Sequence, residues 1–416
     1  MDCKPNRVKT TALVGDMVNE FYTNIRQAPA LGRPVAWCVG ATPFELLLAM
    51  DISYVHMENY AAMLSARRAE GEMTKAAEGI GFPLDVCSYC RIAHGGALLQ
   101  QANQTGSLSR PELLVPLPDF LVCSNQCQTQ GNWYDSFRRF LNVPGFLLDV
   151  PPSHDDKQLA ENIAYVTDQL REYVSFLENP VGRRLDWEKL SNIMALIKEG
   201  SQIKKECYDL GRNIPSPMSE FDWFISIAPA NILRGREKSV SYWKTLKSEL
   251  EARVRNGVAA VPGEKYRLYW DHVAVWFKLR ELSEMFASRQ ACVVASTYLA
   301  DAFYAEPDHI DPSDPLGSIA REQCMGFSMR DLDYRINLVS RLVEERRLDG
   351  LIMFSSRTCR PFGIGQYDIV EAIQKRHNIP GIVLEGDHCD RTMHSDIEWN
   401  NQLEPFFEAL ASRKKG

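Results

Sequence analysis

The sequence predicts an α/β fold in which two parallel-sheet domains are joined by a helical segment. Short apolar runs suited to buried strands recur along the chain, and helical periodicity fills the gaps between them. Strands that alternate with helices predict parallel sheets covered on both faces. A chain of 416 residues is also long for a single core, so two or three domains are expected.

The predicted elements fall into two groups separated by a helical middle. Strands are predicted at 34–39, 120–123, 145–150, 266–270, 291–296, 350–354 and 381–384. Helices are predicted at 44–50, 159–177, 187–211, 243–256 and 332–346. This order predicts two sheets of the Rossmann or flavodoxin type. We therefore expect an N-terminal domain over 1–180, a helical bridge over 181–260 and a C-terminal domain over 261–416.

Composition excludes several functional classes. Hydrophobic residues make up 45% and charged residues 24% of the chain, which is ordinary for a soluble globular protein. The net charge of −7 gives no support to nucleic-acid binding. No apolar run is long enough to span a bilayer, and the first residues lack the apolar core of a signal peptide. We expect a cytoplasmic enzyme with neither nucleic acid nor membrane as a partner.

Three of the 11 cysteines stand where a strand ends or a turn opens: Cys87, Cys127 and Cys359. An odd number of cysteines in an unexported chain argues against a disulfide framework. Three thiolates can hold a [4Fe–4S] cluster by three corners, leaving the fourth iron open to a substrate. Cys127 and Cys359 each follow a predicted strand, one in each half. Ligands bind beyond the carboxyl ends of parallel strands, so both cysteines should face a cleft between the domains.

The residues alone leave a zinc site open as the alternative. Cys87 and Cys90 form a CxxC pair, and Cys123 with Cys127 adds a CxxxC pair, which together could make a closed four-cysteine site. Cys87 also precedes a predicted helix, whose N-terminal dipole favours a thiolate and a net-negative cluster.

An ordered series of segments distinguishes between the iron–sulfur cluster and the zinc site. It comprises ATPFELLLAMDISYVHMEN, LDVCSYCRIAHG, EKYRLYWDHVAVWFKL, ACVVASTY, DPSDPLGSIAREQCMGF, DGLIMFSSRTCRPFGIGQ and IPGIVLEGDHCD. Together with the Cys127 turn, these segments resemble the benzoyl-CoA reductase and 2-hydroxyacyl-CoA dehydratase family over most of residues 34–410. Within the family, the resemblance is closest to the larger cluster-bearing subunit of ATP-dependent benzoyl-CoA reductase.

The resemblance implies that Cys87, Cys127 and Cys359 bind one [4Fe–4S] cluster with a non-cysteine fourth ligand. Cys90 and Cys123 then become non-ligands packed beside the cluster. We expect the sulfur atoms of Cys127 and Cys359 to lie within roughly 6 to 7 Å of each other across the cleft.

The resemblance also implies an activity and its partners. A related second cluster-bearing subunit completes the catalytic pair, and an ATP-hydrolysing iron–sulfur activator delivers single electrons at low potential. The substrate is an aromatic acyl-CoA thioester, reduced through a radical anion to a cyclic dienoyl-CoA. The chain has no GxxxxGK[ST] sequence, so we expect it to bind no nucleotide. The alternatives are a 2-hydroxyacyl-CoA dehydratase subunit, which is redox-neutral, and a non-catalytic accessory protein.

Glu45 and His56 are the candidate catalytic acids, since their segments are expected near the cleft. Glu45 alternatively serves as a first-turn acid favoured by the helix dipole, and His56 as a structural histidine. Glu58 is placed to reach the same cleft. The GIGQ sequence at 363–366 lacks the order of a dinucleotide fingerprint, and we expect Gly363 and Gly365 to permit a tight turn after Cys359.

Overall fold

The computed structural model describes residues 4–102, 108–302 and 306–414. It confirms the α/β class, because two separate four-stranded sheets, all parallel, lie among many helices. The strands are β1 (Val35–Val39), β2 (Ser53–His56), β3 (Phe120–Asn125), β4 (Gly145–Asp149), β5 (Tyr266–Asp271), β6 (Ala291–Ser296), β7 (Gly350–Ser356) and β8 (Gly381–Gly386).

The helices of the first sheet and of the middle of the chain are α1 (Leu13–Gln27), α2 (Phe44–Ala49), α3 (Met57–Ala66), α4 (Glu70–Gly79), α5 (Ser88–Gln101), α6 (Gln128–Leu141), α7 (Asp156–Val181), α8 (Trp187–Asp209), α9 (Glu220–Ile225), α10 (Ile227–Ala230) and α11 (Glu237–Arg255). Those of the second sheet are α12 (Leu279–Ser288), α13 (Pro315–Met325), α14 (Leu332–Arg346), α15 (Arg360–Gly363), α16 (Gln366–His377) and α17 (Asp396–Arg413). A π-helical turn, Tyr298–Ala302, follows β6.

Both sheets have the same strand order. The first sheet runs β2-β1-β3-β4 and the second runs β6-β5-β7-β8, so each begins in an inner strand and adds strands on both sides. The order therefore reverses between β1 and β3 in one sheet and between β5 and β7 in the other. Such a switch point leaves a crevice beyond the carboxyl ends of the two strands, where ligands bind in open α/β sheets.

Most predicted strands match the observed ones within two residues, and the strand at 291–296 matches in full. Strand β2 was not predicted. Its four residues, SYVH, run directly into α3 without a turn residue between them, so the sequence shows neither the length nor the punctuation of a strand. Three of the helices begin at acidic caps, since the side chains of Asp155, Asp186 and Asp331 accept first-turn N–H groups.

A single apolar core connects the helical middle with both sheets. It includes Trp37 and Phe120 of the first sheet, Leu268 and Phe354 of the second, and Trp243 of α11. A smaller cluster covers the other face of the second sheet around Tyr269 and Leu351. The division at residues 180 and 260 stays a prediction. None of the helices in the described ranges is long and apolar enough to cross a membrane.

Candidate functional site

A cavity of about 640 Å³ lies at the carboxyl ends of both sheets. Its lining comes from segments that follow β1, β3, β5, β7 and β8, represented by Gly40, Cys127, Val273, Cys359 and His388. Both switch points therefore open into the same space. The volume is in the range of small-molecule and cofactor sites.

The three predicted cysteines all line this cavity. Cys87 immediately precedes α5, Cys127 precedes α6, and Cys359 precedes the short helix α15. None of these side chains makes a capping hydrogen bond within its helix. Three thiols thus enter one space from three segments, two from the first sheet unit and one from the second.

Burial raises the pKa of each of these thiols. The pKa of Cys127 rises to about 11 and that of Cys359 to about 12, and burial raises that of Cys87 well above its usual range, with smaller contributions from Cys359, Cys90 and Cys127. First-turn N–H groups act in the opposite direction, from Gln130 on Cys127 and from Phe362 on Cys359. The thiols are therefore protonated at neutral pH, and a metal that binds them must displace protons.

Cys90 and Cys123 do not line the cavity. Cys90 is buried, with its sulfur 3.5 Å from His94 Nδ1, and the buried Cys123 thiol donates to the Gln130 carbonyl at 3.6 Å. Within residues 4–102, 108–302 and 306–414, no three His, Cys, Asp or Glu side chains are grouped to hold a single metal ion. The four-cysteine zinc arrangement is therefore not formed. A cubane differs, because each of its cysteines binds a separate corner.

A buried polar network fixes the Cys87 and Cys359 segments to each other. The Ser88 N–H donates to Thr358 Oγ1 at 3.3 Å, and Thr358 Oγ1 donates to Asp387 Oδ2 at 2.5 Å. His388 lies between Ser88 Oγ, 3.0 Å from its Nε2, and Ser356 Oγ, 2.8 Å from its Nδ1. Asp387 also accepts the N–H groups of Cys389 and Asp390, which anchors it to the loop after β8.

The Cys127 turn is held by Gln130. Its Oε1 accepts the Gln126 N–H at 3.1 Å, and its Nε2 donates to Glu58 Oε1 at 3.1 Å. The same Glu58 oxygen accepts the Gly40 N–H at 2.8 Å. Gly40 has φ +76°, and a Cβ there would meet the Ser124 carbonyl oxygen at 2.3 Å, so only glycine is accommodated at this turn.

His56 continues this chain of hydrogen bonds into the cavity. The Asn231 amide nitrogen lies 2.8 Å from His56 Nδ1, and Glu58 Oε2 lies 3.2 Å from His56 Nε2. With Nδ1 accepting from Asn231, the neutral ring carries its proton on Nε2, facing Glu58. Burial acts to raise the pKa of Glu58, but the adjacent His56 ring and the Gly40 N–H outweigh it, so the pKa is lowered.

Glu45 also lines the cavity and is buried against an arginine. Its Oε1 lies 3.3 Å from Arg234 Nε, while both terminal nitrogens of Arg234 donate to Glu322. Burial and the nearby Glu322 raise the pKa of Glu45 against the charge of Arg234. Because both terminal nitrogens of Arg234 bond Glu322, Glu45 is left in an environment that favours its protonated form.

Other polar residues close to the predicted motifs have structural roles. His94 bonds the Cys90 carbonyl through Nδ1 and Ser136 Oγ through Nε2. Glu385 pairs with Arg357 on the surface. Gly365 has φ +89° at the start of α16, which agrees with the tight turn expected after Cys359.

Sequence reasoning missed Asn231, Arg234 and Arg335. Asn231 and Arg234 follow α10 in the helical middle, where no motif indicated a cavity-lining role. Arg335 bonds only backbone carbonyls, a contact that leaves no signal in the sequence. The cavity lining also includes Arg212, Arg321 and Arg341.

Known proteins of similar sequence act on acyl-CoA. The chain is 26% identical to lactoyl-CoA dehydratase subunit alpha of Anaerotignum propionicum, with 97% of each chain covered. It is 28% identical to a benzoyl-CoA reductase subunit of Thauera aromatica, over 99% of this chain and 97% of the relative. It is 22% identical to (R)-2-hydroxyglutaryl-CoA dehydratase subunit alpha of Acidaminococcus fermentans, over 96% and 97%.

These relatives are named as subunits of enzymes that divide between dehydratases and a reductase. A family model described as 2-hydroxyglutaryl-CoA dehydratase, D-component, matches residues 39–410. Since that match spans most of the chain, the protein belongs to the 2-hydroxyglutaryl-CoA dehydratase D-component family, which takes in both 2-hydroxyacyl-CoA dehydratase and benzoyl-CoA reductase subunits.

Proposed function

We propose that this chain is the [4Fe–4S]-bearing subunit of an ATP-dependent benzoyl-CoA-type reductase. The observation that carries the proposal is the convergence of Cys87, Cys127 and Cys359 on a cavity that also contains Glu45 and His56. A reducible centre and proton donors in the same cavity are what a stepwise reduction of a bound substrate requires.

The donor set suits an iron–sulfur cluster. Three free thiols stand at helix N-termini, where backbone N–H groups favour an anionic ligand. The ligands would be Cys87, Cys127 and Cys359, and a cluster held there supplies single electrons at low potential. Cys90 and Cys123, buried and turned away from the cavity, would remain thiols.

The cavity suits a planar acyl group attached to a long polar carrier. Tyr89, Trp133, Tyr298 and Phe362 contribute aromatic rings to the lining, together with the cysteines. Rings of this kind pack against an aromatic acyl group by stacking or edge contacts. The lining also carries Arg212, Arg321 and Arg341, which suit the phosphate groups of coenzyme A.

Two groups are placed to supply protons. Burial raises the pKa of Glu45, which favours the protonated carboxyl group that a proton donor needs. His56 Nε2 lies 3.2 Å from Glu58 Oε2, so the two side chains are close enough to exchange a proton. Glu45 would protonate the reduced acyl group, and His56 with Glu58 would replace the proton used.

The partners follow from what the chain lacks. It has no phosphate-binding GxxxxGK[ST] sequence, so ATP hydrolysis would belong to a separate iron–sulfur activator. The names of the relatives support a hetero-oligomer, since each is one subunit of a larger enzyme. We infer that a related second cluster-bearing subunit completes the complex.

A second candidate is the alpha subunit of a 2-hydroxyacyl-CoA dehydratase. The observation that favours it is the naming of several relatives as dehydratases at similar identity and coverage. The same cavity would serve, because both reactions begin with electron transfer to a CoA thioester. Electron balance separates them: the reductase consumes two electrons per turnover, whereas the dehydratase consumes none.

The test is an anaerobic assay of the complete complex, preceded by iron and sulfide analysis of the purified protein. With benzoyl-CoA, ATP and a strong reductant, we expect a dienoyl-CoA and consumption of two electrons per product. Dehydration of a 2-hydroxyacyl-CoA without net electron use would select the second candidate. A protein that contains no iron after anaerobic purification, and that takes up none when iron and sulfide are supplied, would refute both.

A further inference from the structure

Arg335 is a buried cation that forms hydrogen bonds with the turn after Cys359. This residue of α14 is 8% exposed. One terminal nitrogen donates to the Ile364 carbonyl at 2.8 Å and to the Pro361 carbonyl at 3.4 Å, and the other donates to the Phe362 carbonyl at 3.1 Å. Its guanidinium also lies 4.8 Å from the centre of the Phe327 ring. The side chain therefore bonds most of the turn that carries Cys359.

Gly365 permits this close approach. Its φ of +89° turns the chain towards α14, and a Cβ at this position would lie 2.8 Å from Leu332 Cδ1 and 3.7 Å from a terminal nitrogen of Arg335. A side chain at residue 365 would crowd the Leu332 side chain, and the positive φ itself favours glycine. The tight turn and the buried arginine are thus parts of one arrangement.

The positive charge of Arg335 has no carboxylate partner in the parts of the chain that the structure describes. No Asp or Glu in those ranges forms an ion pair with it, and its buried Nε makes no hydrogen bond. Asp271 is a buried carboxylate, but Tyr269, Thr297 and Gln366 donate to it instead. A buried charge without a counter-charge is costly, so the metal-free protein carries a charge that a bound anion would balance.

The guanidinium of Arg335 lies beside the turn that carries Cys359. The carbonyls that it bonds belong to Pro361, Phe362 and Ile364, the second, third and fifth residues after the cysteine. A positive charge fixed there acts on an anionic group held at the Cys359 sulfur.

We propose that Arg335 is a positioning residue that fixes the Cys359 turn and supplies the buried positive charge balanced by an anionic group held at Cys359. The identity of that anion as a [4Fe–4S] cluster rests on the proposed function. The hydrogen bonds of Arg335 to the turn and its local positive charge do not rest on the proposed function, because both exist in the metal-free protein.

The local positive charge is tested in the complete chain without metal. Cys359 is alkylated at one pH with neutral iodoacetamide and with anionic iodoacetate, and the modified peptide is quantified by mass spectrometry. The ratio of the two rates cancels the thiolate fraction and reports the local charge. We expect Arg335→Gln to lower the iodoacetate-to-iodoacetamide ratio by at least about threefold. Arg335→Lys, which keeps the charge, should stay within about twofold of the wild type.

Arg360→Gln is the matched control. It removes the same charge from the residue next to Cys359, but Arg360 is exposed and lies 3.9 Å from Asp85. Water and that carboxylate screen it, so the ratio should change less than in Arg335→Gln. An equal change in both variants, or no change in Arg335→Gln, would overturn the role of the buried charge.

The hydrogen bonds to the turn are tested by hydrogen exchange on the same metal-free variants. Arg335→Gln and Arg335→Lys should both accelerate exchange of the Gly363 and Ile364 amides, since neither side chain can bond all three carbonyls. Unchanged exchange in both would overturn the positioning role. In the cluster-loaded complex, Arg335→Gln should also shift the reduction potential to more negative values, because the lost cation stabilised the reduced state.

These outcomes are independent of the proposed function. A wild-type chain that binds no iron would refute the cluster, yet the alkylation ratio and the exchange rates would still decide the role of Arg335. Conversely, if the cluster is loaded and its reduction potential is the same in the wild type and in Arg335→Gln, the inference is contradicted and the cluster assignment stands.

Discussion

The backbone N–H of Ser88 donates to Thr358 Oγ1 at 3.3 Å, joining two residues that directly neighbour Cys87 and Cys359. The two cysteines belong to segments of different sheet units, so this bond sets where one stands relative to the other. Thr358 passes the connection on to Asp387, which is itself anchored to loop amides. The positions of two proposed cluster ligands are thus defined by a network that needs no metal.

Thr358→Val should weaken this network. The substitution leaves the Ser88 N–H unsatisfied and removes a donor from the buried Asp387 carboxylate, so we expect a loss of about 1–3 kcal/mol in the free energy of unfolding. Thr358→Ser keeps the hydroxyl and should retain most of the stability. Urea unfolding of the metal-free variants measures the difference, and equal stability of the Val and Ser variants would contradict the structural role.

The cysteine assignment predicts a sharp contrast between neighbours. Cys359→Ala should lower iron content and abolish activity, because it removes one of the three thiols that line the cavity. Cys90→Ala should retain both, since that thiol faces His94 instead. Iron and sulfide analysis of anaerobically purified variants measures the effect. Full iron loading of the Cys359 variant would defeat the assignment.

Glu45→Gln removes the proposed acid while keeping its shape. We expect activity of the assembled complex to fall by about 10²-fold or more with iron content unchanged. The wild type should also lose activity as pH rises, because Glu45 must be protonated and its pKa is raised. A variant that keeps full activity would leave Glu45 as a structural partner of Arg234.

Glu220 should make stability depend on pH. This carboxyl group is buried and accepts from Ser296, and burial raises its pKa to about 7. The unfolded chain loses this proton near pH 4.5 whereas the folded chain keeps it, so stability is present below pH 4.5 and is lost as pH rises towards 7. The loss should approach about 3 kcal/mol.

Glu220→Gln removes that titration. The difference in unfolding free energy between wild type and variant should therefore grow in favour of the variant between pH 4.5 and 7 and stay constant above it. Denaturant titrations at a series of pH values measure this difference. A difference that does not change with pH would show that the group is ionised in the folded protein.

The elements that the sequence predicts best are those whose own composition or capping residue indicates their position in the fold. The run ACVVAS is apolar throughout, so its burial as β6 follows directly. Helix α14 begins after Asp331, a cap that the sequence displays. Cys127 and Cys359 follow predicted strands, and the rule for the carboxyl ends of parallel sheets places them at the cavity.

The parts that escaped prediction depend on contacts between distant segments. Asn231 meets His56 across a large separation in the chain, and nothing in the local pattern of either residue indicates the other. Arg234 pairs with two carboxylates, Glu45 and Glu322, that lie in different halves of the sequence. Tertiary packing sets these pairs: α10 contacts α1 and α11, and α13 contacts α7 and α8.

The continuous core has a consequence for how this protein can be taken apart. Buried residues of both sheets and of α11 belong to one cluster. Separating the two sheet units would therefore expose to water the apolar surface that each buries against the other. Heating or denaturant should then melt the two sheet units in one cooperative transition. Truncated fragments would aggregate instead of reporting on half a site, so the two sets of cysteines can be dissected only by point substitution in the intact chain.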